Sequence, residues 1–332
     1  MSSPIAGQGR LAFVRAVTTA ALAALAVAAI VIVALPRPAA AATLEEVIGF
    51  GSNPGNLRMF RYVPDGLPTG RPLVVALHGC TQSAATYDTE PGWVELAERY
   101  RFALLLPEQR STNNLNRCFN WFLSTDTTRG AGEVLSIKQM VDRMKTDVGS
   151  GPVYVTGLSA GGAMAAAMLA TYPEVFAGGG VVAGLPYRCA TNLVEASTCM
   201  YFGRNLTPAQ WGGMVRAASS HTGPWPKVSV WHGTADTTVV PANLTELVEQ
   251  WTNVHGTDAV PDVTDTVAGY PHAVYRDATG NPVVETYLIT GMGHGQPVDP
   301  GTGSTQCGAT AAYILDVNIC AAYHMLRFWG IA

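Results

Sequence analysis

Hydrophobic residues along this chain come in short dense runs rather than in one periodic stripe. RPLVVALHG (71–79), FALLLPE (102–108), PVYVTGL (152–158), GGGVVAG (178–184), KVSVWHG (227–233) and VVETYLITG (283–291) are each bounded by glycine or proline. Runs of this length, rich in Val, Leu and Ile and without a polar side, predict strands buried on both faces. Between them the pattern switches to helical spacing over 93–100, 133–147, 160–172 and 242–254, and a further helix over 321–329 closes the sequence. Strands alternating with helices predict an α/β fold, a mostly parallel central sheet with helices on both faces. Two stretches read as antiparallel pieces, 50–64 and 272–287, the second with a turn at DATGN.

Two segments break the alternation. At the N-terminus, Arg10 and Arg15 precede AVTTAALAALAVAAIVIVAL, followed by Pro36, Pro38 and an alanine run ending at Ala42. A basic start, an apolar stretch and small residues at its end predict a secretory signal peptide over 1–42. An N-terminal membrane anchor is the alternative, because twenty uncharged residues can span a bilayer. From 43 to 332 no linker, repeat or low-complexity tract divides the chain, so a single domain is expected there. Within it, 185–226 is a cap-like insertion holding Cys189, Cys199, Trp211 and Trp225, with Thr207 as N-cap and Pro208 at the first helical position of a further helix. It is either a lid or wall over a pocket, or plain packing.

Composition narrows the class. At 332 residues, 48% hydrophobic and 13% charged, the chain is globular and long enough to bury a large core. A formal charge of −4 without a Lys/Arg cluster argues against nucleic acid as a partner. Six cysteines fit three disulfides of an exported protein, and none has the C-x-x-C spacing of a zinc site. Closeness in sequence favours Cys189–Cys199 and Cys307–Cys320, which leaves Cys80 for Cys118.

The chemistry begins at PVYVTGLSAGGAMAAAML, where a β-branched run stops at a serine fenced by glycines and restarts as an alanine-rich helix. Gly157-Leu158-Ser159-Ala160-Gly161 is G-x-S-x-G between a strand and a helix, the context of a nucleophile elbow. Such a serine needs a base oriented by a carboxylate, in the chain order Ser, acid, His. Asp236, just past KVSVWHG, and His294, just past VVETYLITG and flanked by glycines, meet that order and lie at the same sheet edge. His78 and His232 end strands in H-G pairs, His324 lies on the last helix, His255 ends another, and His221 and His272 precede strands. Asp299 follows the histidine and is out of order. The oxyanion hole would take one donor from the Ala160 N–H and a second from the loop in LHGCTQS, with Cys80 first and Thr81 as runner-up. A Cys80–Cys118 bridge would stiffen that loop and bring RCFNWF to the rim. Trp121 is then a candidate substrate contact, with core packing as its other reading, and Gln82 is a second candidate contact. No metal cluster, phosphate loop or dinucleotide fingerprint is present, since DPGTGS lacks a lysine and a following helix, so no cofactor is expected.

LHGCTQSA, RCFNWF, GLSAGGAM, GLPYRCA, WHGTAD, GMGHGQP and CGATAAYILDVNICAAYHMLRFWG stand in one order from about residue 45 to the end. Together they resemble the secreted polyhydroxybutyrate-depolymerase-type esterases, to which feruloyl and acetylxylan esterases are related. The resemblance implies an α/β-hydrolase fold, a serine-esterase mechanism and the triad Ser159, Asp236 and His294. It implies an extracellular enzyme acting on a poly(3-hydroxybutyrate)-type polyester or its oligomers, without stable membrane association once the signal is cleaved. Many polymer-degrading members carry a linker and a separate substrate-binding domain after the catalytic one, whereas this sequence stops at Ala332, which gives weight to soluble oligomers and plant-wall esters. A feruloyl or acetylxylan esterase acting on plant polysaccharide is the alternative. An inactive hydrolase-fold binding protein is the reading of another class, because fold does not dictate function.

Overall fold

The computed structural model describes residues 43–332, so the expected signal segment 1–42 lies outside the described residues. Twelve strands follow in chain order: β1 Glu45–Val47, β2 Arg58–Tyr62, β3 Leu73–Leu77, β4 Ala103–Glu108, β5 Val153–Leu158, β6 Phe176–Val182, β7 Lys227–Gly233, β8 Val263–Val267, β9 Tyr270–Arg276, β10 Pro282–Ile289, β11 Gln296–Val298 and β12 Ile314–Asp316. Nine helices accompany them among the described residues: α1 Ala84–Tyr87, α2 Trp93–Tyr100, α3 Ser124–Thr127, α4 Gly132–Val148, α5 Ala160–Thr171, α6 Leu193–Phe202, α7 Pro208–Arg216, α8 Ala242–His255 and α9 Ala321–Trp329.

Ten strands form one sheet in the order β1-β2-β4-β3-β5-β6-β7-β10-β9-β8. The six inner ones, β4 to β10 in that order, are mutually parallel, and the antiparallel pairs β1-β2-β4 and β10-β9-β8 finish the two edges. The inner six are the six apolar runs of the sequence. Alternate residues of each serve two separate cores. Leu73, Val75, Leu77, Leu105 and Val155 pack under α4, α5 and α8, while Val74, Ala76, Leu104, Leu106 and Tyr154 pack under α1, α2 and α9. A strand facing apolar helices on both sides can be apolar throughout, which is why these runs show no alternation. α5 lies wholly inside the first core, buried along its whole length, so its composition is apolar all round.

The edges depart from the sequence reading. In 50–64 only β2 is a strand, and its antiparallel partner β1 lies before that stretch. β8 joins the 270–289 hairpin as a third strand, its VTDTV being largely exposed at the sheet edge. His272 falls inside β9 rather than before a strand. β11 and β12 pair as a small parallel sheet of three-residue strands.

The six cysteines are joined as Cys80–Cys118, Cys189–Cys199 and Cys307–Cys320. In the insertion, α7 opens with a capping box between Thr207 and Gln210 and with Pro208 in its first turn. α6 opens on Asn192, whose side chain accepts the Glu195 N–H. Trp211 is buried beside α8, with its indole N–H on Glu246, so that helix is packing. α6 has a different place, described next.

Candidate active site

The loops that follow β3, β5, β7 and β10 all emerge at the carboxyl edge of the parallel strands, where open α/β sheets hold their ligands. β5 ends at Leu158 and α5 begins at Ala160, which leaves Ser159 alone to make the turn. Its φ of 57° and ψ of −118° are strained for a residue with a side chain. The turn closes only because its flanks have no Cβ. One on Gly161 would stand 2.2 Å from the Leu77 carbonyl oxygen, and one on Gly157 2.4 Å from the Gly161 backbone. Ser159 N–H is anchored on Val182 O at 2.8 Å. The Ala160 N–H, in the first turn of α5, has no carbonyl one turn back within the helix.

Asp236 sits in the turn after β7 with its carboxylate fully engaged. Oδ1 accepts the N–H groups of Thr238 and Val239, each at 2.9 Å, and Oδ2 accepts His294 Nδ1–H at 2.7 Å. A carboxylate can only accept, so Nδ1 is the donor, which leaves Nε2 as the ring nitrogen not engaged by Asp236. Burial pushes the Asp236 pKa up, but hydrogen bonds from His232 and His294 and the charge of His294 outweigh it and hold the group well below the usual carboxylate range. The acid and base loops are stitched to each other by Ala235 N to Met292 O at 2.9 Å and Gly291 N to Thr234 Oγ1 at 2.8 Å.

His294 and Ser159 line one cavity of about 130 Å³, together with Gly79, Cys80, Thr81, Gln82, Leu158, Met200, Thr238 and Tyr313. Ser159 keeps 9% of its surface accessible. Its Oγ makes no hydrogen bond to the ring among the described residues. Contacts of this kind commonly tighten only when substrate binds.

The turn after β3 contributes a loose donor. The Gly79 N–H is taken by Gln82 Oε1 at 2.8 Å, and the Thr81 N–H by Asn116 O at 2.6 Å. The Cys80 N–H between them has no partner among the described residues. Gln82 works as a brace as well as a wall, since its Nε2 also reaches Ala312 O at 3.4 Å. Trp121 is not brought to the cavity. It is 7% exposed, packs edge-on to Phe122 and belongs to the core under α4, so packing is the reading that describes it. Three cavity residues carry no sequence signal that marked them: Met200 of α6, Thr238, and Tyr313, whose ring stands 6.1 Å from that of His294. The insertion thus reaches the site through Met200.

A parallel sheet crossed by helices on both faces, with a strained serine between the fifth strand and a buried helix, defines an α/β hydrolase. The chain belongs to the esterase PHB depolymerase family, whose model matches residues 57–264, and it is a carboxylic-ester hydrolase. It is 58% identical over 291 residues to poly(3-hydroxyalkanoate) depolymerase C of Paucimonas lemoignei, covering 87% of this chain and 70% of that one. It is 34% identical to feruloyl esterase B of Talaromyces stipitatus, over 78% of this chain and 74% of the other. Among solved structures, an acetyl xylan esterase from Aspergillus awamori superposes with a TM-score of 0.74 at 29% identity, covering 87% of this chain and all of that one.

Proposed function

We propose that this protein is an extracellular serine esterase that cleaves aliphatic polyesters of the hydroxyalkanoate type, with Ser159 as nucleophile. His294, oriented by Asp236, takes the proton from Ser159 Oγ as that oxygen attacks the ester carbonyl. The negative charge on the carbonyl oxygen is met by the N–H groups of Ala160 and Cys80. Collapse of the tetrahedral adduct breaks the ester C–O bond, and His294 returns the proton to the leaving alcohol. Water, deprotonated by the same ring, then frees the acyl group and restores the serine. The observation that carries this reading is the convergence on one cavity of an elbow serine, a carboxylate-held imidazole and an unpaired backbone N–H from the facing turn.

The substrate class rests on the elements that line that cavity and on the surface they expose. α6 sends Met200 into the cavity and turns Leu193, Val194, Tyr201 and Phe202 to solvent, with Phe202 81% exposed. Leu115 is 92% exposed on the loop that binds Thr81, and Tyr313 on the cavity wall is 47% exposed. Exposed apolar side chains on the helix that supplies Met200, and on the loop that binds Thr81, suit a water-poor polyester surface better than a hydrated polysaccharide. The name of the 58%-identical relative points the same way. Feruloyl or acetyl esters of polysaccharide are the second reading, favoured by the full-length superposition on the acetyl xylan esterase. Three disulfides and the apolar segment before residue 43 support an oxidising, extracytoplasmic setting. Among the described residues no helix is long and apolar enough to cross a membrane.

The test is product release from poly(3-hydroxybutyrate) film, hydroxybutyrate oligomers, methyl ferulate and acetylated xylan side by side, for the native chain, Ser159→Ala and a Tyr201→Ser/Phe202→Ser variant. Ser159→Ala should lower kcat on every accepted substrate by roughly 10³- to 10⁶-fold. The α6 variant should lose film hydrolysis while keeping soluble-ester turnover. Faster release from xylan or ferulate than from film or oligomer would move the assignment to the second reading.

A further inference from the structure

Glu133, the second residue of α4, is completely buried, and no step of the reaction uses it. Its Oε1 accepts Gln109 Nε2 at 2.5 Å and Asn120 Nδ2 at 2.9 Å, and its Oε2 accepts the Asn120 backbone N–H at 2.9 Å. Burying a carboxyl away from water is costly unless its partners are held in good geometry. Where those partners lead is therefore informative.

Gln109, itself 1% exposed, passes its backbone N–H to His78 Nε2 at 3.1 Å and its Nε2 also to Cys118 O at 3.1 Å. Burial holds His78 at a pKa of about 4, so its ring is neutral, with Nδ1–H on Gly79 O at 2.7 Å and Nε2 free to accept. Asn120 Oδ1 accepts Asn114 Nδ2 at 3.1 Å, Asn114 Oδ1 accepts Asn116 N–H at 3.0 Å, and Asn116 O accepts the Thr81 N–H. Cys118 is bonded to Cys80. Three routes from one carboxyl group thus end on His78, Cys80 and Thr81, the turn whose middle N–H is left unpaired.

We propose that Glu133 is a positioning residue for the oxyanion hole: it clamps the 109–121 loop, and that loop fixes the direction of the Cys80 N–H. The inference rests on the roles proposed above for Ser159 and Cys80. Asn120 and Gln109 present only donors to Glu133, so an amide at position 133 must turn an NH₂ against one of them. Glu133→Gln therefore conserves volume and breaks the clamp.

The measurement compares native enzyme and Glu133→Gln on p-nitrophenyl butyrate, together with binding of butylboronic acid, which forms a tetrahedral adduct on an active serine. The expected result is a kcat lower by roughly 10- to 100-fold with KM changed less than about twofold, and boronate affinity lower by the factor lost in kcat/KM. Loss of stability alone would not produce that split. Should Glu133→Gln fail to fold, Asn120→Ala, which removes one of the three donated bonds, decides by the same readouts with a smaller loss. A folded variant with native kcat and native boronate affinity overturns the proposal, as does an activity loss carried by KM alone. Boronate binding that survives Ser159→Ala unchanged would sink the Ser159 reading, and this inference with it.

Discussion

His294 and His232 share one oxygen, Asp236 Oδ2, at 2.7 and 3.4 Å. Access separates them. His232 is fully buried and its Nε2–H also points at Val239 O, 2.7 Å away, whereas His294 lines the cavity with Ser159. His324 is farther from consideration still, lying among the rings of Trp231, Tyr287 and Tyr323 with its pKa held at about 4 by burial. His294→Ala should lower kcat by roughly 10³-fold or more, far beyond what the loss of its hydrogen bond to Asp236 takes from the melting temperature. His324→Ala should lower the melting temperature and leave kcat/KM within about twofold of native. Steady-state kinetics beside thermal melts separate the two, and an inactive but stable His324 variant would reverse the assignment. Asp236 has a second consequence, for acid stability. Its pKa is depressed in the folded chain, so the unfolded chain binds the proton first as pH falls. The stabilisation is complete above the ordinary carboxylate value near 3.8 and is lost as pH drops below it. Asp236→Asn should flatten the fall of urea midpoint between about pH 5 and pH 2. An acid limb as steep as that of the native chain would contradict the assignment.

The elements differ in how openly the sequence announces them. β3 to β7 and β10 are legible because burial on both faces leaves an unbroken apolar run bounded by turn residues. β8 is not, since an exposed edge strand asks nothing apolar of VTDTV, and β1 and β11 are too short for any period to show. The order Ser159, Asp236, His294 is legible because each residue follows a recognisable strand. Met200 and Glu133 are not, because their roles depend on contacts with residues far away in sequence. Trp121 keeps two readings in the sequence for the same reason: nothing local tells a rim aromatic from a core one. The disulfides act at this scale too. Cys80–Cys118 spans 38 residues and joins the turn after β3 to the loop clamped by Glu133, while Cys307–Cys320 spans 13 and ties the start of α9 to the stretch before β12. Loop-closure entropy gives each up to about 3–4 kcal/mol. Cys80→Ser/Cys118→Ser should therefore lose kcat as well as stability, whereas Cys307→Ser/Cys320→Ser should shift only the melting temperature. Native kcat for the first variant, measured below its melting transition, would show that the first bridge holds no part of the site.

Across the whole molecule the groups proposed to react are spread along the chain: Cys80 after β3, Ser159 after β5, Asp236 after β7, His294 after β10. A sheet that is doubly covered brings them to one edge only when its inner strands have all taken their places. β10, the strand that precedes His294, pairs with β7 on one side and β9 on the other, and its residues follow those of every other inner strand in the sequence. In the proposed mechanism, a polypeptide short of residue 294 holds the serine, its turn and its acid without the base that takes the proton. On that reading, competence toward esters requires the β7–β10 pair to be closed. If His294 is the base proposed above, every shortened product of translation or proteolysis that ends before it should be silent toward esters, whatever part of it has folded.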